Sequence, residues 1–102
     1  MLQRYLITLG AATTAGGTVT SASSLRSIDA VRVALEGDKV WCPACGSEGV
    51  VKPDGPRLTE LFDGKQVALN GDLCLCRCIP LPRLVAVQDQ VCQSVNLEYY
   101  DG

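Results

Sequence analysis

Short apolar stretches punctuated by glycine and proline run the whole length of the chain, and helical periodicity is weak. Val33-Ala34-Leu35 and Val67-Ala68-Leu69 are each followed by a polar residue, a glycine and an aspartate, so a short strand running into a turn is predicted at both places. Residues 27–35 have the length of a short helix. Ile28, Val31 and Val33 are β-branched, however, and lie between turn formers, which favours strands. Asp63-Gly64 suits a two-residue hairpin turn, because glycine and aspartate tolerate positive φ, and Asp29-Ala30 is its weaker copy. Ser21-Ala22-Ser23-Ser24 reads as a loop or a polar strand edge. Beyond Pro80-Leu81-Pro82 the pattern fades. A β-repeat domain over 1–83 is therefore expected, with an extended C-terminal tail over 84–102 in which Leu84-Val85-Ala86-Val87 can add one strand.

The pattern is a repeat. Val33-Ala34-Leu35-Glu36-Gly37-Asp38 returns 34 positions later as Val67-Ala68-Leu69-Asn70-Gly71-Asp72. At the same offset Ile28-Asp29 matches Phe62-Asp63, and Cys42 matches Cys76. A degenerate third copy, Gly10-Ala11-Ala12-Thr13-Thr14-Ala15, makes positions 15, 42 and 76 equivalent in a pseudo-threefold arrangement. The predicted fold is all-β, built from hairpin repeats.

Composition limits what such a fold can do alone. The chain has 102 residues, one domain's worth, yet only one Phe, one Trp and three Tyr for a core. Small domains with thin cores need a staple of disulfides or metal. The net charge of −2, with no long run of either sign, argues against nucleic acid and anionic lipid as partners. No apolar run reaches the ~18 residues of a membrane span. The N-terminal run after Arg4 is too short for the ~7–15 apolar residues of an export signal, so the thiols are expected to stay reduced.

Six cysteines then become the candidate chemistry. Cys42-Pro43-Ala44-Cys45-Gly46 is a metal knuckle, two thiolates around a tight turn, and Cys74-Leu75-Cys76-Arg77-Cys78 follows about thirty residues later. Pairing the clusters gives the four-sulfur tetrahedral site that structural zinc prefers. The repeat sets Cys76 against Cys42 and puts Cys78 near the counterpart of Cys45, so the predicted ligands are Cys42, Cys45, Cys76 and Cys78. Cys74 aligns with Val40 and reads as a small core residue, while Cys92 lies in the tail as a free or weakly buried thiol. A disulfide framework, with 15 connectivities for six cysteines, is the alternative for an exported chain. A rubredoxin-like iron site is another, although it needs a second matching knuckle.

A four-thiolate site is closed to water and substrate, which disfavours catalytic zinc. No histidine is present to act as a general base. Glu36, Asp38, Asp63 and Asp72 sit at turn positions where capping explains them. No enzymatic activity is expected.

Thr13-Thr14-Ala15-Gly16-Gly17-Thr18-Val19, then Ile28-Asp29 through Gly37-Asp38-Lys39-Val40-Trp41-Cys42-Pro43 and the second copy at 67–72, resemble PAAR-repeat proteins over about residues 5–83. The resemblance implies a sharp cone of β-hairpins capping the spike of the bacterial type VI secretion system. Its base would sit on the trimeric spike protein VgrG, one monomeric cap per trimer, with a structural zinc near the apex. It implies assembly in the bacterial cytoplasm, secretion into target cells and transient passage through their membranes, with effector cargo as a further partner. Val33, Leu35, Val67 and Leu69 would fill the cone's interior or its docking base. The chain departs from the family pattern where metal-binding histidines are frequent, having Ala15 and Cys45 there. The Pro-Ala-Ala-Arg tetrad is replaced by Arg32-Val33-Ala34-Leu35 and Gln66-Val67-Ala68-Leu69. An all-cysteine site would compensate. The rival reading is a zinc-ribbon-like adaptor for protein or nucleic acid, which the acidic balance and the repeat oppose.

Overall fold

In the computed structural model of the chain residues 2–96 are described, and they contain strands and turns but no helix. In chain order the strands are Leu2–Tyr5 (β1), Ala12–Thr13 (β2), Thr18–Val19 (β3), Ser27–Ile28 (β4), Val31–Arg32 (β5) and Lys39–Cys42 (β6). Ser47–Lys52 (β7), Leu61–Phe62 (β8), Lys65–Gln66 (β9), Leu73–Leu75 (β10), Leu84–Val85 (β11) and Cys92–Val95 (β12) follow.

The repeat folds into a ring. Residues 6–8, 33–35 and 67–69 are joined end to end by antiparallel bridges between Thr8 and Val33, Leu35 and Val67, and Leu69 and Leu6. Ile7 N donates to Ala68 O (2.9 Å), Ala68 N to Ala34 O (3.0 Å) and Ala34 N to Ile7 O (2.9 Å), so each unit bonds the next around a pseudo-threefold axis. Gly10, Gly37 and Gly71 end the three segments at φ 88°, 84° and 90°, a left-handed conformation that glycine adopts without a Cβ penalty. The upstream copy is therefore a full unit, and it begins earlier than the Gly10 echo, at Leu6.

Alternation of side chains across the ring separates two cores. Leu6, Val33, Leu35, Val67 and Leu69 are buried on one face with Ile28, against which Phe62 and Val91 pack. Ile7, Ala34 and Ala68 point to the other face, into a core with Val19, Val40, Val51, Cys74 and Leu84. Each fully buried valine, leucine or isoleucine among them contributes roughly 1.5–3 kcal/mol.

Above that second face stands a six-stranded antiparallel sheet in the order β10-β7-β6-β3-β2-β11. A bridge between Leu73 and Arg83, with Cys74 N donating to Pro82 O at 2.8 Å, brings its two edges together. Equivalent positions then form layers. From the ring upward they are Val19, Val51 and Leu84, then Thr13, Val40 and Cys74, then Ala15, Cys42 and Cys76. The falling side-chain volume suits a sheet that narrows away from the ring.

On the opposite side three two-stranded ribbons leave the corners of the ring. Two are hairpins, β4–β5 and β8–β9, closed by Asp29-Ala30 (φ 55° and 67°) and Asp63-Gly64 (φ 55° and 77°), both with the two positive φ values of a type I′ turn. The third is assembled from the two ends of the chain, β1 on β12, with Leu2 opposite Val95 and Tyr5 opposite Cys92. Main-chain bonds mark the three as equivalent: Val33 N to Arg26 O, Val67 N to Glu60 O, and Leu6 N to Val91 O. The segment expected as an extended tail is thus woven in as far as Asn96, supplying β11 to the cone and β12 to the third ribbon. Residues 97–102 of that expected tail lie outside the described residues.

Candidate metal centre

Three connections meet at the narrow end, and two of them carry sulfur. Cys42 closes β6, and Pro43-Ala44-Cys45-Gly46 turns the chain so that Ser47, the first residue of β7, pairs back with Cys42. Gly46 sits at φ 62° in that turn. On the neighbouring unit Cys76 follows β10 directly, and Cys78 lies two residues on, before the chain returns through Pro80 and Pro82 to β11.

The Sγ atoms of Cys42, Cys45, Cys76 and Cys78 all lie within 4.8 Å of one another, with Cys42 buried and the other three half-buried. These are the four thiols expected from the repeat and the knuckle. Cys42 and Cys76 occupy equivalent ring positions, and the loops beyond them add the other two. Ala15, at the third equivalent position, packs half-buried against the same core.

The cluster's electrostatics are uneven. The Ser47 hydroxyl lies 3.0 Å from Cys45 Sγ and, with a backbone hydrogen bond from Arg77, holds that thiol down to about 6. Cys78 Sγ lies 3.6 Å from Cys42 Sγ, and that hydrogen bond together with burial pushes the Cys78 thiol up to about 12. Sulfurs this close cannot all be thiolates without a cation among them, and a bound metal ion would supply that charge. The four cysteines can hold a metal ion, and the set offers only soft sulfur ligands.

Cys74 is fully buried one layer below, with Thr13 and Val40 as its equivalents, and burial pushes its thiol up to about 12. It behaves as the core residue its alignment with Val40 predicts. Cys92 sits in β12 opposite Tyr5, on a ribbon across the ring from the cluster.

Of the acidic turn residues, Glu36, Asp38 and Asp72 accept hydrogen bonds from backbone amides. Asp38 accepts from Leu35 N (2.7 Å), Ser23 N (3.0 Å) and the hydroxyls of Ser21 and Ser23. Asp72 accepts from Leu69 N (2.8 Å), Asp54 N (3.0 Å), Arg4 and Arg57. The partners Ser47, Arg4 and Arg57 carry no motif. Ser47 alone has a local signal, its position just after a C-x-x-C-Gly knuckle.

Residues 9–80 match the protein family described as the PAAR motif. No curated protein matches the chain, and no solved structure does.

Proposed function

Because the chain belongs to the PAAR motif family, which is associated with the spike of the type VI secretion system, we propose that it is a non-enzymatic tip that caps the trimeric spike protein VgrG. The observation that carries this reading is the combination of a pseudo-threefold ring with a sulfur cluster at the narrow end above it. A ring of three like backbone units suits the threefold arrangement of a three-chain partner, with one cap per trimer.

In this reading Cys42, Cys45, Cys76 and Cys78 hold one structural zinc. Tetrahedral thiolates ~2.3 Å from zinc stand ~3.8 Å from one another, a spacing compatible with sulfurs that are already within 4.8 Å. The narrow end needs such a staple for a physical reason. Its last layer is Ala15, Cys42 and Cys76, too little apolar volume to be rigid, whereas structural zinc adds roughly 10–16 kcal/mol of apparent binding free energy to folding. A stiff point suits a tip driven through a target membrane. The cap would assemble with the spike in the bacterial cytoplasm and leave the cell with it, together with any effector cargo.

Mixing the chain with the VgrG trimer of its own secretion system and weighing the product by native mass spectrometry tests this. One cap per three spike chains is expected. A mixture that stays as separate species would favour the adaptor reading instead.

A further inference from the structure

Two cavities open on the ribbon side of the ring, and they occupy equivalent places. One, of about 270 Å³, is lined by Thr8, Ile28, Asp29, Val31, Val87 and Asp89 among others. The other, of about 300 Å³, lies between Leu35, Phe62, Asp63 and the loop residue Leu25. Thr8 corresponds to Leu35, Ile28 to Phe62, and Asp29 to Asp63, so each cleft separates the turn of one ribbon from the loop entering the ribbon before it. At the third equivalent position Gln93 stands where the others have Ile28 and Phe62. Its amide bonds Leu58 N (2.8 Å), Leu58 O (3.1 Å) and Glu60 Oε1 (3.1 Å), which closes that face.

The open clefts also gather exposed apolar surface. Leu25 is 89% exposed, Val87 62%, Leu9 43% and Val31 38%, and all four line one cleft or the other. The charged residues in their linings are Asp29, Asp89 and Asp63, with no lysine or arginine. Apolar side chains beside carboxylates fit a long basic side chain, whose stem lies on the apolar groups while its head stays at the carboxylate.

Resting on the cap reading above, we propose that the two clefts seat two of the three spike chains, each taking a lysine or arginine side chain. The third chain meets the face closed by Gln93. The three identical chains of a symmetric trimer therefore make unequal contacts with this cap, two through a cleft and one at the closed face.

The test is binding of the metal-loaded chain to its VgrG trimer, with the triple variant Asp29→Asn, Asp63→Asn, Asp89→Asn. Asn tolerates the positive φ of 55° at Asp29 and Asp63, so the turns survive while the charge goes. Affinity at low salt should fall about tenfold or more, and most of its salt dependence should disappear. Glu48→Gln, on the exposed flank of the cone in β7, should change nothing. A triple variant that binds within about twofold of the parent overturns the proposal while leaving the cap reading intact. A parent chain that does not bind at all refutes the cap reading and the clefts with it. A photo-crosslinking residue at position 25 or 31 should capture the same spike segment, and one at position 58 should not. Equal capture of that segment at all three positions overturns the two-cleft arrangement.

Discussion

Replacing Asp72 by alanine removes a carboxylate that several donors share at the heart of the third unit. Leu69 N at 2.8 Å and Asp54 N at 3.0 Å lose their acceptor, and so do Arg4, at 3.0 Å, and Arg57. The guanidinium side chains are only 7% and 10% exposed, so two cations would be left nearly buried beside each other. Breaking a buried ion pair in this way costs about 3–5 kcal/mol, a large part of the ~5–15 kcal/mol that holds a domain together. The equivalent Asp38 has the same bond to the ring, Leu35 N at 2.7 Å, but its other donors are a serine amide and two serine hydroxyls. Asp38→Ala leaves neutral donors behind, and about 1–3 kcal/mol is expected. The first unit carries Ala11 at this position and folds with no carboxylate there at all. Urea unfolding at fixed zinc concentration, followed by the single Trp41, measures both variants. Asp72→Ala must be the more destabilised; equal losses, or a larger loss for Asp38→Ala, would refute the assignment of the extra cost to the stranded arginines.

Ala30 holds φ 67° at the place where the third unit has Gly64 at φ 77°. Ala30→Gly should therefore stabilise the chain by about 0.5–1 kcal/mol, read as a higher urea midpoint with unchanged slope. A Cβ on Gly49 would lie 2.6 Å from Leu75 O and 2.9 Å from Cys74 Sγ, so Gly49→Ala forces β7 from β10. A loss of about 1–3 kcal/mol is expected in the same assay. Cys42→Ser and Cys76→Ser should each lose metal and soften or unfold the chain, as seen by elemental analysis and circular dichroism. Cys92→Ser, on the far ribbon, should keep both metal and fold.

Local chemistry was readable wherever the sequence repeats it. The Gly-Asp turns and the Asp63-Gly64 hairpin follow from residues whose neighbours alone constrain them, and the pairing of Cys42 with Cys76 follows from the 34-residue repeat. Cys45 and Cys78 could be added because a knuckle has few geometries. The start of the first unit was hidden, because Leu6-Ile7-Thr8-Leu9 shares only apolar character with Val33-Ala34-Leu35-Glu36. The third ribbon was less visible still. Tyr5 meets Cys92 across nearly the whole chain, with no turn between them to announce a hairpin. Nor could Arg4 and Arg57 be assigned to Asp72, since a charge pair distant in sequence has no spacing rule. Gln93 reads as an ordinary polar strand residue until the ribbon places it in line with Ile28 and Phe62.

The most direct measurement is X-ray absorption at the zinc edge, with elemental analysis, on reduced and purified protein. One zinc per chain surrounded by four sulfurs at ~2.3 Å is the predicted result. A stably folded chain without metal, or a zinc shell containing nitrogen or oxygen, would contradict a tip stapled by Cys42, Cys45, Cys76 and Cys78.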